Sequence, residues 1–418
     1  MPSKFSAAGV AAVAAILGAA TPARAATIIL RNIGGVDVGT QAFQGFTTAA
    51  NFWASEIVNP ITIDLNVGFG HLGPNILGQT RAAVAQVATQ TVEQQLILGA
   101  SSSVDLAAIA HMPSLTPSTD PALAGLGGVA VVTPGYTDPV AGTGVDTSKL
   151  VFDNNGSFNN VALTINSAHA KALGFGVPAG TIDGQIAFSS DFNFDFNPTD
   201  GIAADAIDFV GVATHEIGHA LGFTSGVDLY DLIGLPNGGL VGQTGCLNDV
   251  QLCQDYPAQD DAFGTPLDLF RYAKDPLGTG SGDPQLTWAP GVESYFSVDG
   301  GATGLGGFST GAFNGDGWQA SHWKRQPPGE TAFGIMDPAV SFAQLDQFTN
   351  LDFEAFDAIG YNFNFDPGLD PHVLSTADIS LMFRTQPLPE PQAWALMILG
   401  FGATGAAVRR ARRRPSPA

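Results

Sequence analysis

The 418-residue sequence is short of cysteine and of basic side chains: it has two cysteines, and 16 lysines and arginines against 38 aspartates and glutamates. Two thiols cannot build a disulfide scaffold. The formal net charge is −22, so a nucleic acid would meet a surface of its own sign and is disfavoured as a partner. Charged residues of any kind make up only 13% of the chain, whereas hydrophobic residues make up 45%. That supply fills one large domain or two ordinary ones and argues against global disorder. No internal repeat is present. The abundant residues are Gly (52) and Pro (27), a pattern common in loop-rich exported proteins.

The two ends read as addresses. Lys4 precedes an apolar run from Ala7 to Ala20, and Ala23-Arg24-Ala25 has the small-x-small pattern that signal peptidase cuts. The run is too short to span a bilayer comfortably, so residues 1–25 read as a signal peptide. At the other end, Pro389-Glu390-Pro391 is followed by an apolar stretch, Ala393 to Val408, and then by Arg409, Arg410, Arg412, Arg413 and Arg414. Triad, span and basic tail together resemble the PEP-CTERM sorting segment of Gram-negative bacteria. The resemblance implies export across the inner membrane and transient membrane association through residues 389–418. It also implies removal of the tail by an exosortase-type enzyme, which leaves the body at the cell surface or outside the cell.

Between the ends, residues 26–388 carry a net charge of about −28. Such a body should be soluble, and it suits calcium, with no site assigned. Cys246 and Cys253 stand in a polar loop and are expected to pair in an exported protein. Apolar spacing predicts a helix at 43–56, a strand at 61–69, and helix over 91–112 with a break at Ser101–Ser103. Residues 114–148 read as a long surface loop. Strands at 160–165 and 184–189 flank a short helix at 167–174. Beyond residue 223 the expectation is a Gly- and Pro-rich back half with a hairpin near 294–303 and a last helix at 350–360. The prediction is an α+β domain over 26–365, its front half ending near 223 and its back half covering 224–365, then a linker over 366–388.

Residues 204–222, ADAIDFVGVATHEIGHALG, carry the chemistry. Ile207, Val210, Val212, Ala213, Ile217, Ala220 and Leu221 are spaced for a helix with a broad buried face. On it His215 and His219 stand at i and i+4, so both imidazoles point the same way and can meet one tetrahedral zinc. Glu216 is turned away from that ion but within reach of a water on it, where a carboxylate can act as general base. This is the HExxH arrangement of zinc peptidases. Gly222 follows the last periodic position and permits a left-handed helix end.

A catalytic zinc needs a third protein ligand. Glutamate is nearly excluded, because after Glu216 the next one is Glu293. Asp228, nine residues past His219, is one alternative, and a turn or helix cap is an equally natural role for it. His322, in Ser321-His322-Trp323, is the favoured one. Metzincins place their third histidine three residues after the glycine; here that position is Ser225. The order HEIGHALGF, long insertion, SHW and then Ile335-Met336-Asp337-Pro338 resembles the leishmanolysin arrangement within the metzincins. That resemblance, over about 204–361, implies zinc held by His215, His219 and His322, and Met336 as an apolar floor beneath it. It implies a metzincin-like zincin with a mixed twisted sheet and helices in front and an irregular back half closed by a C-terminal helix.

The function expected is an exported zinc endopeptidase acting on protein or peptide substrates. The alternative is a cell-surface or matrix adhesion protein that keeps the zincin fold with little catalysis. His71, His111, His169 and His372 have no partner at ligand spacing and read as surface or packed residues. The run Asp191–Asn197 lacks the glycine and glutamate of an EF-hand, and its alternating phenylalanines suit a core.

Overall fold

Alternating Ile63, Leu65 and Val67, each buried, make the central strand of the front half. The computed structural model describes residues 26–72, 77–234, 250–327 and 330–383. Residues 1–25 and 389–418, read above as a signal peptide and a sorting tail, and Cys246 lie outside the described residues, and so does the expected Cys246–Cys253 pairing. In chain order come β1 (Thr27–Gly34), α1 (Gln41–Glu56), β2 (Thr62–Gly70) and β3 (Gly78–Ala82). Helices α2 (Thr89–Gly99) and α3 (Ser103–Ala110) follow, broken at Ala100–Ser102 where Ser102 caps the second helix. Then come β4 (Val131–Gly135), β5 (Asp146–Asp153), β6 (Gly184–Ser189) and the motif helix α4 (Phe209–Leu221).

The main sheet has the order β1-β2-β6-β3. β1 and β6 run parallel to β2, while β3 runs antiparallel to β6 and forms one edge. Helix α1 lies on the sheet beside α4, with Phe46, Phe52 and Trp53 fully buried. Phe46 meets Phe209 edge-on at 5.2 Å. Each phenylalanine taken wholly out of water contributes about 1.5–3 kcal/mol. Trp53 also donates from Nε1 to the Thr214 carbonyl at 3.0 Å, which pins α4 one residue before His215. The alternating phenylalanines serve this core: Phe194 and Phe196 both pack on Phe209.

Several expectations are corrected. The stretch 114–148 is not a surface loop throughout: β4 pairs with β5, and Val129, Val131, Val132 and Thr133 are buried. The back half is not wholly irregular. After α5 (Val227–Ile233) it holds an antiparallel sheet of β7 (Arg271–Lys274), β8 (Pro284–Leu286), β9 (Ser294–Phe296) and β10 (Gly306–Phe308), in the order β8-β7-β9-β10. The hairpin expected at 294–303 therefore closes later, on Gly306–Phe308. Residues 366–388 are not all linker, and the helix at 350–360 is not the last. After α6 (Asn350–Ala358), Leu374–Ser375 pairs with Gln347–Phe348, and α7 (Thr376–Phe383) packs on α1 with Ile379 fully buried. Among the described residues no helix is long and apolar enough to cross a membrane.

Candidate metal centre

Helix α4 starts at Phe209 rather than 204, because Asp208 caps it by accepting the Gly211 amide at 3.0 Å. It ends at Gly222, whose φ of 117° is left-handed. A β-carbon there would also stand 2.8 Å from His169 Nδ1, so only glycine fits on both counts. Tyr361 donates to the Leu221 carbonyl at 2.7 Å, which satisfies one of the helix's last acceptors.

His215 and His219 rise from one face of this helix with ring centroids 4.6 Å apart. The chain then travels through the back half and returns with His322, whose ring lies 5.2 Å from that of His215 and 4.8 Å from that of His219. The three offer ligand nitrogens within 4.8 Å of one another, close enough to hold a metal ion. Among the described residues no other group of three or more His, Cys, Asp or Glu side chains is so placed.

The hydrogen bonds fix the tautomers. His215 Nδ1 meets the Ile335 carbonyl at 2.7 Å, His219 Nδ1 the Phe223 carbonyl at 2.8 Å, and His322 Nδ1 the Gln319 carbonyl at 3.1 Å. A carbonyl only accepts, so each Nδ1 carries the proton and each Nε2 keeps a bare lone pair. Burial holds all three rings neutral: it lowers His215 to about 4, His219 to about 3 with His215 adding to the effect, and His322 well below its ordinary value. The Nε2 atoms of His219 and His322 therefore face each other at 3.1 Å with no proton between them. A shared cation resolves that repulsion. Zinc–nitrogen bonds of about 2.0–2.1 Å place neighbouring tetrahedral ligands about 3.3 Å apart, so the donor set fits.

Glu216 is buried beside the trio. Its Oε2 accepts from the Thr80 hydroxyl at 2.6 Å, and the same hydroxyl lies 3.0 Å from the Glu216 carbonyl. Burial pushes the carboxyl up to about 7, against the Thr80 hydrogen bond. Thr80 belongs to β3, so the edge strand of the front sheet holds the carboxylate. Met336 is fully buried under α4, and its sulfur would stand 2.6 Å from a β-carbon at Gly218. It touches the helix between the two histidines, and the preceding Ile335 carbonyl orients His215.

Asp228, the alternative third ligand, is not part of the trio. Its carboxylate accepts the Ala320 amide at 2.6 Å, the Ser321 amide at 3.1 Å and the Ser321 hydroxyl at 2.5 Å. It therefore fixes the two residues before His322. Ser225, three residues after Gly222, steadies the same segment, since its amide donates to the Ser321 hydroxyl at 2.9 Å. The fully buried Arg271 donates to the Ala320 carbonyl at 2.6 Å and is paired with Asp268 at 3.0 Å. On the far side, Trp323 Nε1 donates to Asp352 at 2.8 Å, and Asp352 also accepts the Ile335 amide at 2.9 Å. His322 is thus held from both sides. Asp228→Ala should weaken metal binding about 10–100-fold while His215 and His219 stay in place; competition with a chelator of known affinity measures it.

Thr80, Asp268, Arg271 and Asp352 escape a reading of the sequence, because each acts across the fold and lies in no motif. His169 is a packed residue, as expected: it is buried, with Nε2 at 2.5 Å from the Ile359 carbonyl and its ring stacked on Tyr361. His71 sits at the surface beside Asp191.

The three histidines and Glu216 line a cleft of about 580 Å³ with Gly78, Thr80, Trp318 and the segment Asp337–Val340. No family model, curated protein or solved structure matches the chain.

Proposed function

We propose that the protein is a zinc-dependent endopeptidase of metzincin-like architecture. The observation that carries this reading is the convergence of three bare Nε2 atoms in an open cleft with a buried carboxylate at their side. Zinc, when bound by His215, His219 and His322, supplies the Lewis acidity that polarises a scissile carbonyl and acidifies a water.

The rest falls to the chain's own groups. Thr80 occupies Oε2 of Glu216, which leaves Oε1 to take the proton of the attacking water and then pass it to the departing amine. β3 pairs with β6 along one side and borders the cleft. An edge strand offers unpaired amides and carbonyls, so an extended peptide laid against it would continue the sheet. The distal third histidine and the methionine packed beneath the helix support the metzincin-like reading. Export and C-terminal processing, proposed from the two ends, suit a peptidase working outside the cell.

The test is metal-linked hydrolysis. Dialysis against a chelator should abolish cleavage of a denatured protein substrate, and one equivalent of zinc should restore it. A protein that binds zinc and cleaves nothing would favour the adhesion reading.

A further inference from the structure

The cleft has a side chamber. A cavity of about 320 Å³ lies against His215, walled by residues from Glu330 to Gln347, and it shares His215, Asp337, Ala339 and Val340 with the main cleft. Three acidic residues line it: Asp337, which also lines the main cleft, Asp346, and the exposed Glu330. Asp346 presses so close to α4 that a β-carbon at Gly211 would stand 2.1 Å from its Oδ2. Gly211 lies one turn before His215, so the chamber opens beside the proposed reaction centre.

Asp346 lacks compensation. Among the described residues, no donor is hydrogen-bonded to the Asp346 carboxylate. Burial pushes its carboxyl well above the ordinary carboxylate range, and Asp208 and Asp337, both of its own sign, add to the effect. Asp208 itself accepts from the Gly211 amide at 3.0 Å, the Asp346 amide at 3.3 Å and the Thr376 hydroxyl. Arg325 reaches Asp337, but its guanidinium stacks over Trp318, which lines the main cleft. Partly buried like charges without a partner are costly until a cation joins them. A bare metal ion does not suit the gap, because these carboxylates are not grouped closely enough to share one. A cation on a long flexible arm suits it.

We infer that this chamber receives a lysine or arginine side chain of the substrate, adjacent to the bond to be cut, and that Asp346 and Asp337 select it. The inference rests on the peptidase reading and narrows it to substrates with a basic residue at the cleavage point.

Matched peptides that differ only in Lys, Arg, Ala or Glu on either side of the bond test it. Two readouts are used: kcat/KM with the zinc-loaded protein, and calorimetric binding to the Glu216→Ala protein, which holds peptide without cutting it. The Lys and Arg peptides should exceed the Ala peptide about tenfold or more in both. Asp346→Asn should lower the Lys-to-Ala ratio about tenfold. Asp337→Asn, at the mouth, should lower it in the same direction and stands in if the first variant fails to fold. A ratio near one in the parent, or one unchanged in both variants, overturns the inference. If the zinc-loaded protein cuts no peptide, the peptidase reading falls and binding decides the chamber. A Lys preference that the variants lose supports it, and equal binding of Lys and Ala peptides overturns it.

Discussion

His322→Ala should empty the metal site. The two histidines left on α4 give a bidentate hold, and a catalytic zinc site needs three protein ligands. The loss should exceed the 10–100-fold typical of removing an outer-shell partner, so bound zinc should fall from one per chain to under about a tenth after dialysis. The fold should survive. The segment around residue 322 is tied down by its neighbours: Asp228 and Ser225 hold Ser321, Arg271 holds the Ala320 carbonyl, and Asp352 holds Trp323. Elemental analysis beside far-UV circular dichroism separates the two effects. Full zinc retention with native dichroism would remove His322 from the ligand set and undo the distal-histidine assignment.

Glu216→Ala should do the reverse, keeping the metal and losing the reaction. Among the described residues the side chain makes no bond to the histidines, and its one side-chain hydrogen bond is to Thr80. Removing a positioned general base costs about 10²–10⁴-fold in rate, so kcat should fall by that much while zinc stays at one per chain. The pair of variants is informative together, since one loses activity with the metal and the other loses it without. If Glu216→Ala remains fully active, Glu216 is not the proton carrier and the proposed chemistry fails.

How much of this could be read from the sequence depended on distance along the chain. The motif helix was legible because its period and its glycine stop lie within about twenty residues, while its start at Asp208 was not read. So were β2, β6 and α1, where apolar alternation or helical spacing matched burial. His322 was reached through motif order, and its place beside His219 is now explicit at 3.1 Å. Asp228 illustrates the limit. Its spacing from His219 allowed a ligand or a cap, and only the fold brings Ala320 and Ser321, over ninety residues away, onto its oxygens. β4 was hidden for another reason. Pro134 within it argues against a central strand, yet here it sits where the register slips against β5. α7 follows a Pro- and Asp-rich stretch that reads as linker, and its contribution is a single buried face set against α1.

The distance of 103 residues between His219 and His322 also sets a timetable. A chain is made from its N-terminus, so the helix bearing the first two histidines is complete long before the third exists. Contacts this remote in sequence form late, after the entropy of closing a long loop has been overcome. A half-made chain therefore has a base and two imidazoles but no three-point seat for the ion. Capture of the ion by all three histidines therefore requires the back half to be in place, when almost all of the body has been made.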